Sequence, residues 1–113
     1  SQPWKGADAV AAMAEVVCSL RRAFVALPAH DELGPSTITF GQIEGGYRPY
    51  VVPDRAKVWV DMRLTPPTDT AVAKRMVEQA IAGAETEVPG CHGSYTVTGD
   101  RLSPSSSAQA CRR

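Results

Sequence analysis

Few side chains in this chain have the types and spacing that hydrolytic chemistry requires. A zinc site needs three or four His, Asp, Glu or Cys ligands, and usually one close pair in the sequence fixes the geometry. His30 lies beside Asp31 and Glu32, and His92 follows Cys91, but no His-x-Asp pair, adjacent Glu-Glu or Cys-x-x-Cys occurs. No serine has the Gly-x-Ser-x-Gly context of a nucleophile. The residues therefore predict neither a catalytic centre nor a metal site within this chain.

Arg63 is the residue that physical chemistry singles out. It shares the polar face of a predicted strand with Trp59 and Asp61, and a guanidinium there could bind a carboxylate through two parallel hydrogen bonds. An ion pair with Asp61 or a neighbour is an equally good interpretation of the same pattern. Tyr50 is the second candidate for substrate binding. The favoured interpretation of this residue is an exposed loop aromatic, and the alternative is that it lines a cleft.

Hydrophobic periodicity predicts the elements that position these residues. Apolar residues recur every three or four positions in a first helix and a second helix, and Val58, Val60, Met62 and Leu64 alternate with polar residues as in a half-buried strand. The predicted order is a helix over 8–26, a strand over 36–43, a strand over 56–64, a helix over 69–84 and a strand that ends the segment 91–98.

This order predicts an α+β fold. It matches the split strand-helix-strand-strand-helix-strand arrangement without its first strand. We therefore expect a ferredoxin-like antiparallel sheet with two helices on one face, its first strand missing from this chain, which would be a fragment of a longer protein. Residues 1–98 are predicted to form this partial domain, and the Ser-rich stretch 99–113 a linker or disordered tail.

Composition excludes several classes of partner. Twelve Lys and Arg balance twelve Asp and Glu, so the basic surface that nucleic acid or an anionic membrane requires is not expected. No apolar run approaches the roughly 20 residues of a membrane span. Three cysteines, an odd number without metal-ligand spacing, cannot form a complete disulfide framework, which favours a reducing compartment and a cytoplasmic location.

Three stretches resemble one known family. Residues 1–10, Ser-Gln-Pro-Trp-Lys-Gly-Ala-Asp-Ala-Val, resemble the Ser-x-Pro-x-x-Gly-x-Asn/Asp-Ala segment that opens the first helix of the dimerisation domain in zinc-dependent exopeptidases and deacylases. Gly41-x-Ile43-x-Gly45-Gly46 is similar to that domain's second strand and turn. Val-Val-Pro-Asp at 51–54, with Asp-Met-Arg at 61–63, resembles its Asn-Val-Val-Pro-Asp and Asp-x-Arg patterns. The family includes acetylornithine deacetylase, succinyl-diaminopimelate desuccinylase, aminoacylase and glutamate carboxypeptidase.

The resemblance implies a function that the chain would not perform alone. It implies a dimerisation domain that also serves as the active-site lid of a zinc-dependent amidohydrolase or peptidase, which cleaves an N-acyl amino acid or a short peptide. Two zinc ions would lie in a separate catalytic domain, and no cofactor in this chain. The lid would form a homodimer through an edge strand and its first helix. Arg63 aligns with an arginine implicated in binding the substrate carboxylate, and Tyr50 stands where the family usually has Asn.

One alternative comes from a different functional class. A free-standing ferredoxin-like module could dimerise and hold a small ligand between its subunits, as regulatory domains of metabolic enzymes do. A nucleic-acid-binding member of the same superfold would need exposed aromatic residues on its central strands and a basic surface, and the zero net charge argues against it.

Overall fold

The elements of the chain follow the predicted order and add one strand. The computed structural model describes residues 6–98 and the backbone of residues 105–110. Its elements are α1 Ala9–Val25, β1 Thr37–Gly45, β2 Ala56–Arg63, α2 Thr70–Glu87, β3 Gly93–Thr98 and β4 Ser105–Ala110.

The four strands form one antiparallel sheet in the order β1-β2-β4-β3. The two helices pack against each other; α1 also contacts β1, β2 and β4, and α2 contacts β3. The predicted α+β ferredoxin-like fold, with two helices on one face of an antiparallel sheet, is therefore confirmed.

Strand β4 corrects the expectation of a linker or tail over 99–113. Residues Ser105–Ala110 pair with β2 on one side and with β3 on the other, so this segment belongs to the sheet. Its sequence, Ser-Ser-Ser-Ala-Gln-Ala, contains no β-branched or aromatic residue, and for that reason propensity did not reveal the strand. The remaining residues of the predicted tail, 99–104 and 111–113, lie outside the described residues.

Each helix begins at an aspartate that caps its first turn. The Asp8 carboxylate accepts a hydrogen bond from the Ala11 amide at 2.9 Å, and Asp69 accepts one from the Val72 amide at 3.0 Å. These bonds satisfy amides that have no partner within the helix. The buried residues of α1 recur at helical spacing along one stripe: Ala9, Ala12, Met13, Val16, Leu20 and Phe24.

Strand β2 contributes one of its faces to the hydrophobic core. Its alternate residues Ala56, Val58, Val60 and Met62 are buried against the helices, whereas the intervening residues are half-buried or exposed. This is the period of two that the sequence predicts for a strand with one face in the core. Consequently every polar side chain at the intervening positions, Arg63 included, lies on the side of the sheet opposite the helices.

The end of β1 packs too closely against α1 for any side chain larger than hydrogen. A Cβ atom on Gly45 would lie 2.8 Å from Cγ2 of Val10 and 3.1 Å from Cβ of Ala56. The next residue, Gly46, has a φ of 75°, in the left-handed region that favours glycine. The two glycines therefore let the chain leave β1 while α1 stays in contact with the sheet.

We predict that Gly45→Ala destabilises the chain by about 1–3 kcal/mol, because the added methyl group overpacks the contact between Val10 and Ala56. Gly41→Ala is the matched control, since a Cβ there would meet nothing within 4 Å. Urea unfolding at one temperature measures the free energy of unfolding of both variants. Equal midpoints for the two variants would contradict the close approach at Gly45.

Candidate functional site

Arg63 occupies the last position of β2, on the open face of the sheet. Its Nε donates a hydrogen bond to Oδ2 of Asp61 at 3.2 Å. The two side chains remain 68% and 39% exposed. This is the ion pair that the sequence predicts as the alternative to carboxylate binding by Arg63. It engages one of the five N–H donors of a guanidinium, so the terminal nitrogens lie outside this bond and can meet a second carboxylate.

A small cluster of hydrogen bonds fixes the backbone on which Arg63 sits. Oγ of the buried Ser36 accepts from the Thr65 amide at 2.9 Å, and Oγ1 of Thr65 donates to the Gly34 carbonyl at 2.9 Å. Arg63 is also paired in register with Thr37 of β1. Because both strand ends are tied together, the guanidinium projects from a fixed point, as a binding group requires.

The rest of the open face of β2 is amphipathic. The ammonium group of Lys57 lies 4.7 Å from the centroid of the Trp59 ring, within the range of a cation–π contact. Across the strand pair, Lys57 stands opposite Glu44, and Trp59 opposite Gln42. This face is thus lined by polar partners around one half-buried indole.

Tyr50 lies in the loop between β1 and β2 and is 99% exposed. The loop is anchored where it leaves and rejoins the sheet: the Gly46 amide donates to the Arg55 carbonyl at 3.3 Å, and the Ala9 amide donates to the Pro53 carbonyl at 3.0 Å. The backbone of the loop is therefore held at the start of α1, and the Tyr50 side chain extends into solvent.

The structure does not bring Arg63 and Tyr50 together. Arg63 ends β2, whereas the Tyr50 loop precedes Ala56 at the other end of the same strand. Seven residue steps of about 3.3 Å place these ends about 23 Å apart. The sequence predicts both residues as substrate-binding candidates, but one protomer cannot hold one small substrate with both.

An open depression lies at the loop end of the β1–β2 hairpin, and no sequence motif predicts it. It has a volume of about 390 Å³ and is lined by Glu44, Gly45, Gly46, Tyr47, Asp54, Arg55, Ala56 and Lys57. Its charged residues are of both signs, and neither Arg63 nor Tyr50 is part of the lining. Recognising it required the folded hairpin, because its walls come from both strands and the loop.

The histidine and cysteine residues do not form a metal centre in the part of the chain that the structure describes, which contains no group of three or more potential ligands. Nδ1 of His30 instead accepts hydrogen bonds from the amides of Glu32 and Leu33, at 3.1 and 3.0 Å, within its own turn. Cys91 is buried and disulfide-bonded, and Cys18 is free.

The two edges of the sheet differ in chemistry. Beside β3, Oη of Tyr95 donates to Oε2 of Glu78 at 2.6 Å, and the Gly93 amide donates to Oε2 of Glu85 at 2.7 Å. The bond to Glu78 is the main reason that the pKa of Tyr95 is raised. Carboxylates thus rim the β3 edge, and charge of this kind protects an edge strand from further pairing.

The β1 edge carries an exposed apolar residue beside the polar pair Gln42 and Glu44, which hydrogen-bond to each other. β1 pairs only with β2 among the described strands, and Ile43 near its end is 56% exposed. The flank of α1 next to this edge is marked by Val10, which lies against Gly45. Residues on the same flank at helical spacing are Val10, Ala14, Val17, Arg21 and Val25.

Comparison with known families adds the deciding observation. The family model of the peptidase dimerisation domain matches residues 1–88 of the chain. The chain belongs to this family. The resemblance noted from the three motifs is thereby confirmed at the level of the domain, and a role in the dimerisation of peptidases follows from it. No curated protein and no solved structure matches the chain.

None of the described helices is long and apolar enough to cross a bilayer.

Proposed function

We propose that this chain is the dimerisation and lid domain of a zinc-dependent amidohydrolase or peptidase that cleaves an N-acyl amino acid or a short peptide. The observation that carries the proposal is the family match over residues 1–88. Two zinc ions would be held by a separate catalytic domain, where they would activate water and polarise the scissile carbonyl. The contribution of this chain is proposed to be self-association and substrate binding.

Self-association is proposed to use β1 and the flank of α1 beside it. β1 is the longer of the two edge strands, with nine residues against six in β3, and an apolar residue, Ile43, is exposed near its end. The bulge between Phe40 and Gln42 interrupts its register with β2 and limits how much of it can pair regularly. The exposed apolar residues lie after this bulge, which favours contact through the Ile43 end and Val10.

A two-fold axis between two copies would explain how Arg63 and Tyr50 can serve one site although they lie far apart in one protomer. An isologous interface places the same surface of each copy against the other. When two β1 edges pair antiparallel, the loop end of one copy lies toward the Arg63 end of its partner. Each proposed substrate site would then take Arg63 from one copy and the Tyr50 loop from the other, although in one protomer they lie at opposite ends of β2.

Arg63 is proposed to bind the substrate carboxylate. Its ion pair with Asp61 is a surface contact of the kind that contributes little stability, so a substrate carboxylate can compete for the guanidinium at small cost. Closure of the lid would exclude water around the new pair and strengthen it. Tyr50 would lie near the reacting group in place of the family's usual Asn, with a larger and less polar side chain.

A cytoplasmic location is proposed from the odd number of cysteines. The disulfide at Cys91 is an observation against it, because disulfides persist in oxidising compartments and are rare in the cytosol.

The proposed interface is tested by Ile43→Lys. A charge at this exposed position of the β1 edge should weaken self-association at least tenfold, since it would have to be buried against its own copy across the two-fold axis. Val97→Lys, at an exposed position on β3, is the matched control and should leave association unchanged. Sedimentation equilibrium measures both dissociation constants. A stronger effect from Val97→Lys would contradict the assignment of the edge.

The role of Arg63 is tested in the intact enzyme by Arg63→Ala. Loss of a charged hydrogen-bond pair of about 1.5–3 kcal/mol should raise KM for substrates with a free carboxylate tenfold or more. The KM for the corresponding carboxamide substrates should stay near the wild-type value. Arg75→Ala, at an exposed position of α2, is the control. An unchanged KM for the carboxylate substrates would remove the proposed role.

A further inference from the structure

Thr65, two residues beyond the end of β2, has all of its polar groups in hydrogen bonds. Its amide donates to Oγ of Ser36 at 2.9 Å, and its hydroxyl donates to the Gly34 carbonyl at 2.9 Å. Its carbonyl accepts from the Thr68 amide at 3.0 Å. Ser36 and Thr68 are both buried. Thr65 therefore ties the end of β2 to the segment that enters β1 and to the turn that leads into α2.

These bonds lie where the regular ladder between β1 and β2 cannot continue. The ladder ends with Thr37 paired to Arg63, and the same register would place Pro35 opposite Thr65. Proline has no amide hydrogen and cannot donate to the opposite strand. The hydroxyls of Ser36 and Thr65 thus take the place of ladder bonds. Without them, Arg63 would be the last paired residue of a strand end that is free to fray.

The turn that contains Gly34 is itself closed by hydrogen bonds. The amide of His30 donates to the Gly34 carbonyl at 2.8 Å, and the Gly34 amide donates back to the His30 carbonyl at 2.9 Å. Nδ1 of His30 accepts from two further amides inside the turn, those of Glu32 and Leu33. The carbonyl that receives the Thr65 hydroxyl is therefore held in place by the turn.

We propose that Thr65 is a positioning residue for Arg63, and that the turn of residues 30–34 fixes the carbonyl to which Thr65 is bonded. The inference rests on the proposed role of Arg63 in binding the substrate carboxylate. The ion pair of Arg63 with Asp61 is an exposed contact that contributes little. The anchored backbone, rather than this ion pair, holds the guanidinium in place before the substrate binds, and such preorganisation raises affinity.

The test uses the intact enzyme and two substrates that differ only in a free carboxylate or a carboxamide. Thr65→Val keeps the branched shape of the side chain and removes its hydroxyl. It should raise KM for the carboxylate substrate about three- to tenfold, the usual effect of one lost hydrogen bond, and leave kcat and the carboxamide KM unchanged. Thr65→Ser, which restores the hydroxyl, should return KM to near the wild-type value.

Thr86→Val is the matched control. It removes a hydroxyl that donates to the Ala82 carbonyl at 3.1 Å, but on α2, on the helix side of the sheet. It should change the KM for neither substrate. The double variant Arg63→Ala with Thr65→Val should have the same KM as Arg63→Ala alone, because Thr65 acts through Arg63. Additive effects of the two substitutions would overturn the proposal.

Arg63→Ala also separates failure of this inference from failure of the proposed function. An unchanged KM in Arg63→Ala would remove the carboxylate-binding role, and the positioning role with it. A raised KM in Arg63→Ala with an unchanged KM in Thr65→Val would overturn the positioning role alone. Equal rises of KM for both substrates, or a fall in kcat, in Thr65→Val would show a general structural effect and would also overturn it.

His30→Ala is the second variant if Thr65→Val does not fold. It removes the acceptor of the two turn amides and keeps Thr65, so it should raise KM for the carboxylate substrate alone. His30→Asn should restore the wild-type KM, because an asparagine side chain accepts from the amide two residues on. A folded His30→Ala variant with the wild-type KM would overturn the proposal.

Discussion

The rest of the structure depends on the two-sided character of β2. Its alternation forces Ala56, Val58, Val60 and Met62 against the helices, and by the same geometry places Lys57, Trp59, Asp61 and Arg63 on the open face. Burial of the four apolar side chains fixes the register of the strand, because a slip of one residue would put charges into the core. The position of Arg63 is therefore set by packing on the face opposite to it.

Periodicity was sufficient to predict most of the fold. The stripe of α1 and the alternation of β2 each span enough residues to indicate both the element and its buried face. The same alternation placed Arg63 on the polar face. β4 could not be predicted, because serine and alanine carry no strand signal and the segment is a strand only through pairing with β2 and β3. In β4, pairing with the neighbouring strands outweighs the low strand propensity of its residues.

The candidate site was predicted less completely than the fold. The motifs identified Arg63 and Tyr50, but only the course of β2 shows that they stand at opposite ends of one strand. The depression at the hairpin end likewise depends on the folded β1–β2 hairpin, whose two strands and loop together form its walls. Under the proposed self-association, residues that lie far apart in one copy, such as Arg63 and Tyr50, would meet across the two-fold axis.

Hydrogen exchange of the backbone amides tests the central role of β2 most directly. If β2 is the strand on which both layers depend, the slowest-exchanging amides of the chain should lie within Ala56–Arg63 and exchange only through global unfolding. The amides of the loop residues 47–52 should exchange many orders of magnitude faster. Exchange of β2 at rates similar to those of this loop would contradict the account.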